Sequence, residues 1–196
     1  MGLPGAGKSS VGPILAARLN GAFDDLDALV AREAGRGVAE ILREEGEAAF
    51  RALEREALRR ALGPRRGEAA PAIRVLACGG GIVTDRESRE LLASGATVVW
   101  LTVRPETALE RLGAAGVAAR PLLAGPGEGP ADVAGADAGP GGARSALARL
   151  ERLQASRNPL YHSIAALALP TEGRSPKDVA AEVEAALRKR WDISAS

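Results

Sequence analysis

Gly2-Leu3-Pro4-Gly5-Ala6-Gly7-Lys8-Ser9 stands directly ahead of a stretch in which Val11, Ile14, Leu15 and Leu19 recur at helical spacing. The segment fulfils the pattern G-x-x-x-x-G-K-[ST] in full. Its glycines let the backbone wrap closely around an anion with N–H groups turned inward. A helix starting near Lys8 adds the positive end of its dipole. Lys8 can then neutralise β- and γ-oxygens while the Ser9 hydroxyl ligates Mg²⁺, so the opening residues predict a nucleoside triphosphate site. They say nothing about a second substrate. They do demand strand, loop and helix in that order, which narrows the fold to α/β.

The remaining chain supplies the alternation such a fold needs. Phe23-Asp24-Asp25 reads as a strand end, and Asp27 as the cap of a helix through Leu29, Val30 and Ala34 that Gly35 stops. Val38 to Arg60 reads as two helical segments parted near Gly46. Ile73 to Ala77 is an apolar run closing on Gly79-Gly80-Gly81, which suits a buried parallel strand entering a tight turn. A short helix around Arg86 to Ala93 precedes Thr97-Val98-Val99-Trp100-Leu101, the clearest strand. Pro105 opens a helix to Leu112, Arg144 to Ser156 returns to helix, Ile164 to Leu169 is a last strand, and Ser175-Pro176 starts a helix to about Arg190. The expectation is a three-layer α/β/α domain over residues 1–191 with a central, mostly parallel sheet. Gly, Ala and Pro dominate residues 113–143, predicting a mobile lid; 65–71 reads as a surface connection and 192–196 as a frayed tail.

Composition removes several function classes. A net charge of +1 provides no global field for nucleic acid or an anionic membrane, and 3% aromatic residues leave few stacking platforms for bases. Cys78 is the single cysteine, so no internal disulfide forms, and no stretch reads as a signal peptide or membrane span. The expected setting is the cytoplasm. His162, the single histidine, reads as structural.

Several residues carry candidate chemistry. Asp25-Leu26-Asp27, if extended, turns both carboxylates to one side about 7 Å apart, where one could hold the water shell of a metal and the other accept a hydroxyl proton. A helix cap plus a solvated acid explains the same spacing. Arg51 and Glu54 share a helical face and can pair, as ordinary surface residues often do. Three successive glycines at 79–81 indicate a close backbone approach, and Arg120 and Arg157 can each grip an anion or remain solvated.

Taken together and in order, these segments resemble shikimate kinase. The resemblance runs over nearly the whole chain and includes the opening loop, Asp25-Leu26-Asp27, Gly46 to Glu54, Gly79-Gly80-Gly81, Arg120-Pro121-Leu122-Leu123 and Arg157-Asn158-Pro159-Leu160-Tyr161. It implies a five-stranded parallel sheet like that of nucleoside monophosphate kinases. It also implies transfer of the ATP γ-phosphoryl group to the 3-hydroxyl of shikimate, on the way to chorismate and the aromatic amino acids. Position by position, it implies nucleotide binding by Gly5, Ala6, Gly7, Lys8, Ser9 and Ser10, with Arg111 near adenine. Ser9 and Asp25 would serve Mg²⁺. Shikimate would be held by Asp27, Arg51, Gly80, Gly81, Arg120 and Arg157, with Lys8, Asp27 and Arg120 catalytic. The implied assembly is a monomer.

Two features depart from that family's pattern. Only Met1 precedes the glycine loop, where a buried strand belongs, so the reading predicts a trench in the core. The expectation is a start assigned too late, with roughly six to eight apolar, β-branched residues encoded upstream, rather than a shortened and poorly stable variant. The lid is also enlarged between Arg120 and Arg144. Other readings are a gluconate- or nucleoside monophosphate-type kinase, or a nucleotide-binding protein in which the lacking strand has abolished turnover.

Overall fold

In the computed structural model the described residues are 1–63, 73–120, 123 and 140–191. The 65–71 connection, Pro121, Leu122, most of the lid and the 192–196 tail lie outside them. Helix α1 (Lys8–Arg18) follows the glycine loop directly, and Gly7 enters it in a left-handed conformation at φ 88°. Strand β1 (Ala22–Asp25) leads into α2 (Leu26–Ala34), α3 (Val38–Glu44) and α4 (Gly46–Leu62). Then come β2 (Arg74–Ala77), a 3₁₀ turn at Ile82–Thr84, α5 (Arg86–Gly95) and β3 (Val99–Thr102). Helices α6 (Pro105–Ala118) and α7 (Pro140–Ile164), strand β4 (Leu167–Pro170) and α8 (Pro176–Trp191) complete the order.

Both strand pairings are parallel. Strand β1 lies on β2 with Asp25 opposite Ala77, and β3 lies on β4 with Leu101 opposite Leu169. Among the described residues these are two separate two-stranded ribbons. Between them lies a cavity of about 510 Å³, where the sequence places its trench. Met1 stands at its end: its ammonium donates to the Val99 carbonyl at 2.8 Å, and Leu101 N–H donates to the Met1 carbonyl at 2.9 Å.

The core falls into two apolar clusters. One packs α1 and α8 against β3 and β4 through Leu15, Leu101, Leu169 and Val183. The other packs α2, α4 and α5 through Val30, Leu58, Ile82 and Leu92, with Tyr161 of α7 fully buried among them.

Three local expectations are corrected. Asp25, not Asp27, caps α2, because its carboxylate accepts from the Asp27 N–H at 3.0 Å. Helix α6 breaks at Gly113, whose φ of 59° only glycine adopts freely, so its first part ends at Leu112 as expected, but a second helical stretch runs on to Ala118 where a loop was expected. Helix α7 does not stop at Ser156 but continues through Pro159 to Ile164, which carries Arg157 and Tyr161 on a rigid element.

Candidate active site

Elements from both ribbons converge on one cavity of about 670 Å³. Its floor is the glycine loop. Gly2 is at φ 148°, and a side chain there would collide with the Leu101 carbonyl, so the loop packs directly on β3. Lys8 Nζ donates to the Gly2 and Leu3 carbonyls, each at 2.9 Å, which folds the lysine back over its own loop. Burial lowers its pKa to about 8, Asp27 and Asp25 acting in the opposite sense. An arriving phosphate offers Lys8 an anionic partner in place of two neutral carbonyls and stabilises its charged form.

Asp27 opens into the cavity from the first turn of α2. Desolvation inside the cavity and the neighbouring Asp25 charge raise its pKa, while Lys8, Arg51 and Arg120 pull the other way. Arg51 comes from α4. Its Nη1 donates to Glu54 at 2.6 Å and its Nη2 to Glu47 at 2.8 Å, so carboxylates three residues ahead and four behind clamp the guanidinium. Glu54 is fully buried, one oxygen on Arg51 and the other, Oε1, with no partner. Desolvation raises its pKa to about 7 against the pull of Arg51.

The triple glycine explains itself in side chains of the protein. A Cβ on Gly79 would lie 3.3 Å from Asp27 Oδ1 and 3.5 Å from Glu54 Oε1, and one on Gly80 would press on the Tyr161 hydroxyl at 2.7 Å. One on Gly81 would overlap the Arg51 guanidinium. The close approach read from sequence is thus made first by Asp27, Arg51 and Tyr161. Tyr161 donates to the Gly80 carbonyl at 2.7 Å, which ties α7 to the turn.

Arg157 is 5% exposed. Burial lowers its pKa, the nearby Arg51 charge adds to this, and Tyr161 opposes it. It forms no ion pair among the described residues, yet its side chain lines the cavity. A buried guanidinium without a carboxylate is costly unless an anion arrives to meet it. At the opposite end, exposed Arg111 donates to Thr171 Oγ1 at 2.8 Å and to the Thr171 and Gly5 carbonyls. Arg120, also exposed, donates to the Gly116 carbonyl at 2.6 Å.

The family model described as shikimate kinase matches residues 4–188. The chain belongs to the shikimate kinase family. Its reaction is phosphoryl transfer from ATP to shikimate. A shikimate kinase of Symbiobacterium thermophilum is 40% identical over 98% of this chain and 96% of its own length. One of Rhodococcus jostii is 38% identical over 95% of each. Among solved structures, shikimate kinase from Acinetobacter baumannii in complex with shikimate superposes with a TM-score of 0.78 at 28% identity, covering 96% of this chain and 90% of that one. The enzyme from Bacteroides thetaiotaomicron, at 23% identity and a TM-score of 0.70 over 98% of this chain and 95% of that one, supports the fold. The gluconate- and nucleoside monophosphate-type readings give way to this match.

In this shikimate kinase every site residue anticipated from sequence lines the same cavity: Gly5 to Ser10, Asp25, Asp27, Arg51, Gly80, Gly81, Arg111, Arg120 and Arg157. Thr171 and Arg174, which also line it, escaped the sequence reading. A threonine just beyond a short strand carries no signal until Arg111 is seen to reach it from 60 residues away. His162, read as structural, is exposed on α7. No helix among the described residues is long and apolar enough to cross a membrane.

Proposed function

We propose that the enzyme moves the γ-phosphoryl group of ATP to the 3-hydroxyl of shikimate by holding the acid's carboxylate between Arg51 and Arg157 and its hydroxyls at Asp27. The observation that carries this reading is Arg157: a buried guanidinium with no ion pair among the described residues, in one cavity with Arg51, Asp27 and Lys8. The Gly80 and Gly81 backbone lines the cavity, with Arg51 packed against Gly81 and Tyr161 against Gly80, and offers the acid a wall without side chains of its own. Asp27 accepts the hydroxyl proton; its raised pKa makes it a better base than an ordinary aspartate. Gly5, Ala6, Gly7, Ser9 and Ser10 cradle the triphosphate, Arg111 flanks the base, and Lys8 and Arg120 meet the charge that develops on the transferring group.

Ser9 and Asp25 suit Mg²⁺, which binds through one or two carboxylates, water and substrate phosphates rather than a protein cage. No cluster of three metal-ligating side chains occurs among the described residues, and Asp25 Oδ2 is left free by the cap bond, which uses Oδ1. When bound, the ion would neutralise β- and γ-oxygens. A cytoplasmic monomer acting in aromatic amino acid biosynthesis completes the proposal.

The test offers the purified chain ATP, Mg²⁺ and shikimate in a coupled assay, with the carboxamide of shikimate in parallel. Turnover of the acid and a large rise in KM for the amide are expected. Equal use of both would remove the arginine clamp from the proposal.

A further inference from the structure

Tyr161 lies at the acid end of the active cavity but does not line it. Its side chain is fully buried, whereas Arg157, four residues earlier on α7, does line the cavity. That spacing puts the two side chains on one helical face. Two contacts from other elements fix the phenol. Trp100 of β3 stands against its ring, with centroids 5.4 Å apart and planes inclined at 31°. The Gly80 carbonyl receives its proton at 2.7 Å, and position 80 must be glycine, because a Cβ there would stand 2.7 Å from the hydroxyl.

A phenol hydroxyl has one proton to give and lone pairs to accept with. With the proton committed to Gly80, the oxygen is left to Arg157 as an acceptor, and the guanidinium, which can only donate, hydrogen-bonds to it. Burial pushes the phenol up to about 12 against the pull of Arg157 and Arg51, so this acceptor is neutral throughout the neutral pH range. Arg51 is held differently, by the Glu47 and Glu54 carboxylates. A carboxylate offsets the charge it holds, whereas a neutral oxygen holds a guanidinium and leaves its charge for an incoming anion. Arg157 needs such a holder: the Arg51 charge repels it, and Glu47, already paired with Arg51, opposes that by less.

We propose that Tyr161 is a positioning residue for the reaction: its hydroxyl, aimed by Trp100 and the Gly80 carbonyl, holds the buried Arg157 guanidinium in line for the substrate carboxylate without neutralising it. This role rests on the arginine clamp proposed above. Because Tyr161 does not line the cavity, it acts on acid affinity alone, and it does so through Arg157. The phenol joins β3, the turn after β2 and α7 at one point. The aim of Arg157 is thereby set by three elements, not by the rotamers of its own long side chain.

The experiment uses the full chain and reads kcat and KM for shikimate, for its carboxamide and for ATP. Tyr161→Phe keeps the ring and its Trp100 contact and removes the oxygen. KM for shikimate is expected to rise about tenfold, with kcat, KM for ATP and KM for the amide each within about twofold of the unmodified enzyme. In an Arg157→Ala background the same replacement should add no more than about twofold, because the group it acts through is gone. A similar loss in both backgrounds, or an equal loss for acid and amide, makes Tyr161 a packing residue and overturns the proposal. Tyr161 is the single tyrosine, so 3-fluorotyrosine incorporated during expression alters this position alone. Its weaker acceptor oxygen should raise KM for shikimate by about two- to threefold with the fold kept, and an unchanged KM also overturns the proposal. An unmodified enzyme that uses acid and amide alike removes the clamp and this role with it. One that distinguishes them, yet is indifferent to Tyr161→Phe, removes this role alone.

Discussion

The two ends of the active cavity hold their charges in opposite ways. At the acid end, Arg51 is fixed by the Glu47 and Glu54 carboxylates, Tyr161 is fixed to the Gly80 carbonyl, and Arg157 is buried. At the nucleotide end, Lys8 and Arg120 rest on backbone carbonyls of their own segments, Gly2, Leu3 and Gly116. A neutral carbonyl is a weak competitor for a cation, and a phosphate displaces it readily. On the proposed reading, the acid end is preorganised for one small carboxylate, whereas the cations of the nucleotide end rest on carbonyls that a phosphate would displace. Selectivity is thereby proposed to sit where the groups are fixed, and turnover where they can be released.

Variants sharpen this contrast in descending order of effect. Asp27→Asn stands where the two ends meet and should lower kcat by about 10²–10⁴-fold with the thermal midpoint preserved. Steady-state kinetics showing near-normal kcat would deny Asp27 the proton. Arg157→Ala should weaken shikimate binding by about 1.5–3 kcal/mol and leave ATP affinity unchanged. Calorimetric titrations with each ligand separate the two; matched losses would mean that the two ends are not independent.

Gly81→Ala is subtler. The new methyl overlaps the Arg51 guanidinium, which must swing off Glu54, so KM for shikimate should rise about tenfold, or 1.4 kcal/mol, with kcat largely kept. An unchanged KM would show that the acid end is less rigid than its packing suggests. The smallest effect is in the pH dependence of stability. Glu54 titrates at about 7 in the fold and near 4.5 as a free side chain. The folded state thus holds the extra proton between those values, and this group's contribution, complete below pH 4.5, is lost as pH rises toward 7. Glu54→Gln should remove that slope. Denaturant unfolding of both proteins across pH 4–8 measures the difference, in which the opposing drift of the buried Met1 amine cancels.

Much of the site was legible because its residues sit in local patterns. The glycine loop, the i and i+3 placement of Arg51 and Glu54, and the triple glycine each leave a mark within nine residues of chain. Thr171 and Arg174 left none, since their meaning comes from elements distant in sequence. The break at Gly113 was legible because its conformation is local, whereas the end at Ser156 was misplaced because Pro159 reads as a breaker locally while the helix continues through it. Why three glycines stand together at 79–81 was visible as a need for closeness, but not that Asp27, Arg51 and Tyr161 are what come close.

The sequence by itself determined the α/β class, the phosphate loop and the identities of the charged groups, because these depend on short-range spacing and backbone freedom. Tertiary structure alone decided that Arg157 is buried in the cavity of Arg51 with no ion pair of its own among the described residues, and that the ribbons stand apart around a second cavity. Desolvation and strand pairing are set by what surrounds a residue in space, and neighbours in space are not neighbours along the chain.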